Sequence, residues 1–125
     1  MSQSVLIVDD CLFTRKLLSL YLTGSGYELL QAEDGLDALE QMARRPVDLV
    51  ITDVNMPHMD GVALTKALKG DPAYRHIPVV MLTTETAEKE RADGLQAGAA
   101  RFLAKPVRPG LLTAEIAALL QNARA

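Results

Sequence analysis

Five short runs rich in apolar residues divide the chain: Ser4 to Val8, Tyr27 to Ala32, Leu49 to Thr52, Pro78 to Leu82 and Ala100 to Ala104. The first and third are unbroken and β-branched, the pattern of strands covered on both faces. Between the runs the apolar spacing becomes helical. Cys11 to Leu22 reads as a helix with Phe13, Leu17, Leu20 and Tyr21 in step and Asp10 at the N-cap position. Gly24 and Gly26 end it. Asp34-Gly35 opens a second helix whose Leu39, Met42 and Ala43 share a face, with Arg44 and Arg45 near its end and Pro46 as the stop.

A third helix is expected from about Gly61 to Lys69, with Leu64, Ala67 and Leu68 inward, and a fourth from about Ala87 to Ala97. The fourth is charged and carries Gly94 in its interior, which costs roughly 1 kcal/mol relative to alanine, so it is expected to be the weakest helix. A fifth begins near Pro109 and places Leu112, Ile116, Leu119 and Leu120 on one stripe. Strict alternation of strand and helix predicts a parallel sheet with helices on both faces. No repeat or linker interrupts it, and residues 1–125 are expected to form one domain.

Composition narrows the function classes. Apolar residues make up 49% of the 125, enough for one core, and the net charge of −3 with 4% aromatics argues against nucleic-acid or membrane-surface binding. The single cysteine, Cys11, precludes an internal disulfide, and the neighbouring acids are expected to raise its thiol pKa. No signal peptide or membrane span is visible, so a cytoplasmic monomer is expected. His58 and His76 read as solvated loop residues.

The chemistry gathers where strands stop. Four of the five runs end in polar groups: Asp9-Asp10, Asp53, Thr83 and Lys105. Parallel strands put these ends on one edge, and in open α/β sheets that edge binds ligands. Asp53 is followed by Asn55 and Met56-Pro57, which cannot continue a central strand. Three carboxylates held close repel by about 4 kcal/mol per pair at ~4 Å and an effective dielectric of ~20. Such a site favours a hard divalent cation, and Mg²⁺ takes oxygen ligands and often phosphate. Lys105 adds a positive charge and Thr83 a hydroxyl, so the set describes phosphoryl transfer to an aspartate.

The ordered motifs V-D-D at Val8 to Asp10, D-V-N-M-P at Asp53 to Pro57, M-D-G at Met59 to Gly61, Thr83, and A-G-A…K-P at Ala97 to Pro106 resemble the receiver domain of two-component response regulators, chemotaxis receivers included. The resemblance runs from about Val5 to Leu120. It implies a flavodoxin-like fold of five parallel strands in the order 2-1-3-4-5. It also implies that Asp53 accepts phosphate from the phosphohistidine of a histidine kinase or phosphotransfer protein. By the same resemblance, Asp10, Asp53 and the Asn55 backbone carbonyl bind Mg²⁺, with Asp9 acting through water. Lys105 bridges to the phosphoryl group, Thr83 moves towards it, and Phe102 reports the movement to the surface of the fourth helix, fifth strand and fifth helix, where a downstream protein binds. Lys105-Pro106 is expected to be cis.

Three residues depart from the usual pattern. Phe102 stands where tyrosine is common, Thr84 where a smaller residue is usual, and Val107 where phenylalanine often follows Lys-Pro. Asn55 and Glu85 are expected to orient the hydrolytic water and Thr84 to narrow its approach, giving quick self-dephosphorylation. On this reading the chain catalyses only its own phosphorylation and dephosphorylation. The rival readings are a Mg²⁺-dependent phosphohydrolase, which usually carries a second Asp at the Asn55 position, a nucleotide-binding module, which wants glycines after the first strand, and a receiver acting only as a scaffold.

Overall fold

Strand and helix alternate from end to end in the computed structural model, which describes residues 2–83 and 88–124, with side chains over 2–83 and 91–121. The elements are β1 (Ser4–Val8), α1 (Leu12–Leu22), β2 (Glu28–Ala32), α2 (Gly35–Arg44), β3 (Leu49–Asp53), α3 (Gly61–Lys69), β4 (Val79–Thr83), α4 (Glu88–Ala97), β5 (Arg101–Ala104) and α5 (Pro109–Arg124). All strand pairs are parallel, in the order β2-β1-β3-β4-β5. This is the flavodoxin-like arrangement the sequence implies. It follows from right-handed crossovers, which send the chain first to one side of β1 and then to the other.

The three inner strands bury nearly every residue, and alternation along each of them splits their side chains between two cores. On one face Leu6, Val8, Val50, Val79 and Met81 meet Ala38 and Met42 of α2 and Leu64 and Leu68 of α3. On the other, Val5, Ile7, Leu49, Ile51, Val80 and Leu82 meet Leu18 and Leu22 of α1 and Leu112, Ile116, Leu119 and Leu120 of α5. Leu64, Leu68, Leu112 and Ile116 are fully enclosed, and truncating any one to alanine costs about 2–5 kcal/mol.

Several faces differ from the sequence reading. In α1 the buried residues are Leu18 and Leu22, while Phe13 is 74% and Leu20 67% exposed. Apolar residues surround this helix on most sides, so spacing alone does not choose the inner stripe. Ala43 and Ala67 are also exposed, and the inner positions are taken by Gly35, Ala38 and Met42 in α2 and by Gly61, Leu64, Thr65 and Leu68 in α3. The N-cap of α1 is Cys11 rather than Asp10. The reason is local: the Asp9 carboxylate reaches forward to accept from the Cys11 N–H at 2.9 Å, which delays the helix by one residue.

Gly94 has a structural reason. A Cβ there would lie 2.7 Å from Met81 Sδ and 2.9 Å from Phe102 Cε2, so glycine lets α4 rest directly on the sheet. The expected start of α4 at Ala87 lies outside the described residues. No helix among the described residues is long and apolar enough to cross a membrane.

Candidate phosphoryl-acceptor site

The register carries the polar strand ends to one edge. Val8 pairs with Thr52, Asp53 with Leu82, and Thr83 with Ala104, so Asp9, Asp10, Asp53, Thr83 and Lys105 emerge side by side. Asp9 is 2% exposed. Its Oδ2 accepts from Lys105 Nζ at 2.9 Å and its Oδ1 from the Cys11 N–H. Burying that charge is tolerable because both carboxylate oxygens are engaged.

Asp53 is half-buried at the end of β3. Its Oδ1 accepts from the Val54 N–H at 2.9 Å and lies 3.4 Å from Lys105 Nζ. Burial raises the Asp53 pKa; Lys105 opposes the shift and the Asp9 charge adds to it. For Lys105, burial works against the charge, but its bonds to Asp9 and Asp53 outweigh it and raise the ammonium pKa. One lysine is therefore shared by two acids.

Asp10 differs from both. It is exposed, and its side chain makes no hydrogen bond or ion pair among the described residues. Asp9, Asp10 and Asp53 each offer a carboxylate oxygen, and these lie within 4.8 Å of one another. An all-oxygen donor set of this size and charge fits Mg²⁺, which needs few protein ligands and keeps waters.

Thr83 is buried at the end of β4, and its carbonyl accepts from the Lys105 N–H at 2.7 Å, tying β4 to the base of the lysine. Lys105-Pro106 is cis. Asn55 is exposed, one residue past Val54, in the turn closed by the Gly61 N–H on the Val54 carbonyl at 2.9 Å. Phe102 is partly buried against Met81 and Gly94. Thr84 and Glu85 lie outside the described residues.

Gly61 explains M-D-G. A Cβ at residue 61 would lie 2.1 Å from the Asp53 carbonyl oxygen, so only glycine lets α3 begin against the Asp53 backbone. Asp60 caps the helix by accepting from the Ala63 N–H at 2.8 Å.

One expectation is incomplete around this edge and another fails. His58 is solvated as expected, its side chain 66% exposed, but it also has an acid partner: its Nδ1 lies 2.7 Å from Oδ2 of the buried Asp34, whose Oδ1 caps α2 through the Asp37 N–H. Those two bonds, the Asp37 N–H first and His58 second, hold the Asp34 pKa below the usual carboxylate range. With the Gly35 N–H on the Met59 carbonyl at 3.1 Å, they dock the β3–α3 loop on the start of α2. Cys11 also departs from expectation. Hydrogen bonds with Thr14, its side chain foremost, lower the thiol pKa, against a smaller opposite push from Asp9. The sequence reading also passed over Arg15, whose Nη1 donates to the Asp9 carbonyl at 2.5 Å.

A doubly covered parallel sheet carries an acidic pocket and one shared lysine at its carboxyl edge. The response regulator receiver domain family matches residues 5–117 of the chain. The response regulator PleD of Caulobacter vibrioides is 42% identical over 119 residues, covering 95% of this chain and 26% of PleD, so the chain spans about a quarter of that relative. The chemotaxis protein CheY1 of Helicobacter pylori is 36% identical over 118 residues, covering 93% of this chain and 95% of CheY1. The solved structure of Vibrio cholerae chemotaxis protein CheY4 superposes with a TM-score of 0.88 at 36% identity, covering 95% of this chain and 99% of that one.

The chain belongs to the response regulator receiver domains. These are in the main signalling switches of two-component systems rather than enzymes with a separate substrate; phosphoryl acceptance is their general role. They bind Mg²⁺ at an acidic pocket and work with histidine kinases and downstream targets.

Proposed function

We propose that Asp53 is the phosphoacceptor of a switch that takes its phosphoryl group from a phosphohistidine and signals by protein contact. The observation that carries this reading is the placing of Lys105 Nζ, 2.9 Å from Asp9 Oδ2 and 3.4 Å from Asp53 Oδ1, above three acids able to share one cation. Asp10, Asp53 and the Asn55 backbone carbonyl would hold Mg²⁺, with Asp9 acting through a bound water. When bound, the ion neutralises charge on the phosphoryl oxygens and relieves repulsion among the acids.

The chain's own residues do the rest. An Asp53 carboxylate oxygen attacks phosphorus in line as the P–N bond to the donor imidazole breaks. The imidazole departs with the electron pair, and an aspartyl phosphate forms. Burial raises the Asp53 pKa, and the Lys105 ammonium beside it works against that shift, favouring the carboxylate that attacks. Lys105 can follow the new phosphoryl oxygens at the expense of its Asp53 contact while keeping Asp9. The Thr83 hydroxyl, at the end of the neighbouring strand, supplies a further donor.

Transmission runs from Thr83 to Phe102, on adjacent strands and against the bare backbone of Gly94. Leu95 on α4 and Leu111 on α5 are each 46% exposed, apolar contacts for a target on the α4–β5–α5 face. The donor protein meets the start of α1, where Leu12 and Phe13 follow directly on the acids and stand 53% and 74% exposed. Asn55, Thr84 and Glu85 tune the lifetime of the phosphoryl group, which should be short.

Incubation with acetyl phosphate and Mg²⁺, followed by intact mass, tests the assignment. One phosphoryl group should appear in the native chain and none in Asp53→Asn. Label that persists in the variant would show that another acid is the acceptor.

A further inference from the structure

Of the three acids, Asp10 alone has no side-chain partner among the described residues. Its carboxylate can therefore be placed only by its backbone. That backbone is clamped on both sides. Ahead of it, the Asp9 carbonyl accepts from Arg15 Nη1 at 2.5 Å; behind it, the Cys11 N–H donates to Asp9 Oδ1 at 2.9 Å. The Arg15 backbone N–H also donates to the Cys11 carbonyl at 3.0 Å, closing the first turn of α1 around the same three residues. The guanidinium is itself held: Arg15 Nε donates to Gln31 Oε1 at 3.2 Å, and Gln31 Nε2 donates to Ser19 Oγ at 3.3 Å. A planar fork anchored at one prong and donating from another fixes a peptide plane better than a flexible ammonium does.

We propose that Arg15 is a positioning residue for cation binding, acting through the Asp9–Asp10 peptide to hold Asp10 in place. The inference rests on the proposed Mg²⁺ reading of the acidic edge. It makes a prediction opposite in sign to simple electrostatics. Arg15 is a cation beside a cation site, so charge alone says that removing it tightens Mg²⁺ binding. Positioning says that removal weakens it. Partners beyond the direct ligands typically contribute about 10–100-fold in metal affinity, and one peptide clamp on one of three acids belongs at the lower end.

Calorimetric Mg²⁺ titration of the native chain, Arg15→Ala, Arg15→Lys and each change in an Asp10→Asn background separates the two, with melting curves in EDTA to confirm that each variant is folded. The expected results are about tenfold weaker binding in Arg15→Ala, no more than partial recovery in Arg15→Lys, and loss of the Arg15 effect once Asp10 is Asn. Tighter or unchanged binding in Arg15→Ala overturns the inference while leaving the proposed function standing, and so does an undiminished loss in the Asp10→Asn background. A native chain that takes up no Mg²⁺ overturns both. Should Arg15→Ala fail to fold, Arg15→Gln removes the charge with less change in shape and gives the same contrast in sign.

Discussion

Replacing Gly61 by alanine puts the packing account of the acceptor to a direct test. The new Cβ would lie 2.1 Å from the Asp53 carbonyl oxygen, 3.0 Å from the Asp53 carbonyl carbon and 3.1 Å from Val54 Cα, all backbone atoms that cannot swing aside. Carbon-to-oxygen contacts settle at about 3.3 Å, so the first turn of α3 must retreat by roughly 1 Å. Overpacking of this kind costs about 1–3 kcal/mol. The retreat also strains the Gly61 N–H bond to the Val54 carbonyl, adding about 1 kcal/mol. Alanine's better helix propensity returns somewhat under 1 kcal/mol. The net loss is about 1–3 kcal/mol, a melting point lower by roughly 4–12 °C for a domain of this size. Gly110→Ala is the control, because a Cβ there meets nothing within 4 Å, and it should hold or slightly raise the melting point. Should the Asp53 backbone yield in place of the helix, the proposed acceptor moves by ~1 Å and phosphorylation slows by about a hundredfold. Equal melting points for the two variants would refute the steric argument.

Asp53→Asn should raise the melting point of the metal-free protein at neutral pH. Burial lifts the Asp53 pKa, so folding disfavours the carboxylate, and the variant's advantage should vanish as pH falls below the ordinary aspartate value of about 3.9. Melts in excess Mg²⁺ should exceed melts in EDTA, by about 2.7 kcal/mol of added stability at a hundred times Kd; identical midpoints would exclude the cation site. Asp34→Ala removes the α2 cap and should cost about 1 kcal/mol. His58→Asn should move the Asp34 titration, followed by NMR, up towards its ordinary value. Because the Asp34 pKa is lowered in the folded chain, the stability it adds is present above its ordinary pKa and lost as pH falls through the lowered one, so the two proteins should converge in acid.

The strands and their parallel pairing were legible because a doubly covered strand leaves an unbroken apolar run and alternation with helices leaves few topologies, whereas their order came only with the resemblance to receiver domains. The acidic edge was legible for the same reason: once Val8, Thr52 and Leu82 are strand ends, their polar neighbours must meet. What escaped the sequence depends on contacts between elements. In α1, Phe13 and Leu20 are as apolar as Leu18 and Leu22, and only the packing against the sheet and α5 decides which pair is covered. His58 and Asp34 are 24 residues apart and meet because His58 takes a φ of 66°, which no spacing rule announces in a histidine. Arg15 lies on a helix with nothing in its spacing to announce the reach of its guanidinium to the Asp9 carbonyl.

The glycine under α4 has one more implication. Of residues 91–97 only Gly94 and Ala97 are buried, so this part of the helix lies against α3 and β5 through bare backbone and a single methyl group. A buried methyl contributes about 0.8 kcal/mol, whereas α3 presses two enclosed leucines into the same core. The helix therefore behaves less like a wall of the domain than like a plate resting on the Phe102 ring. Small changes in where that ring lies tilt the plate cheaply, and the strands beneath need not yield.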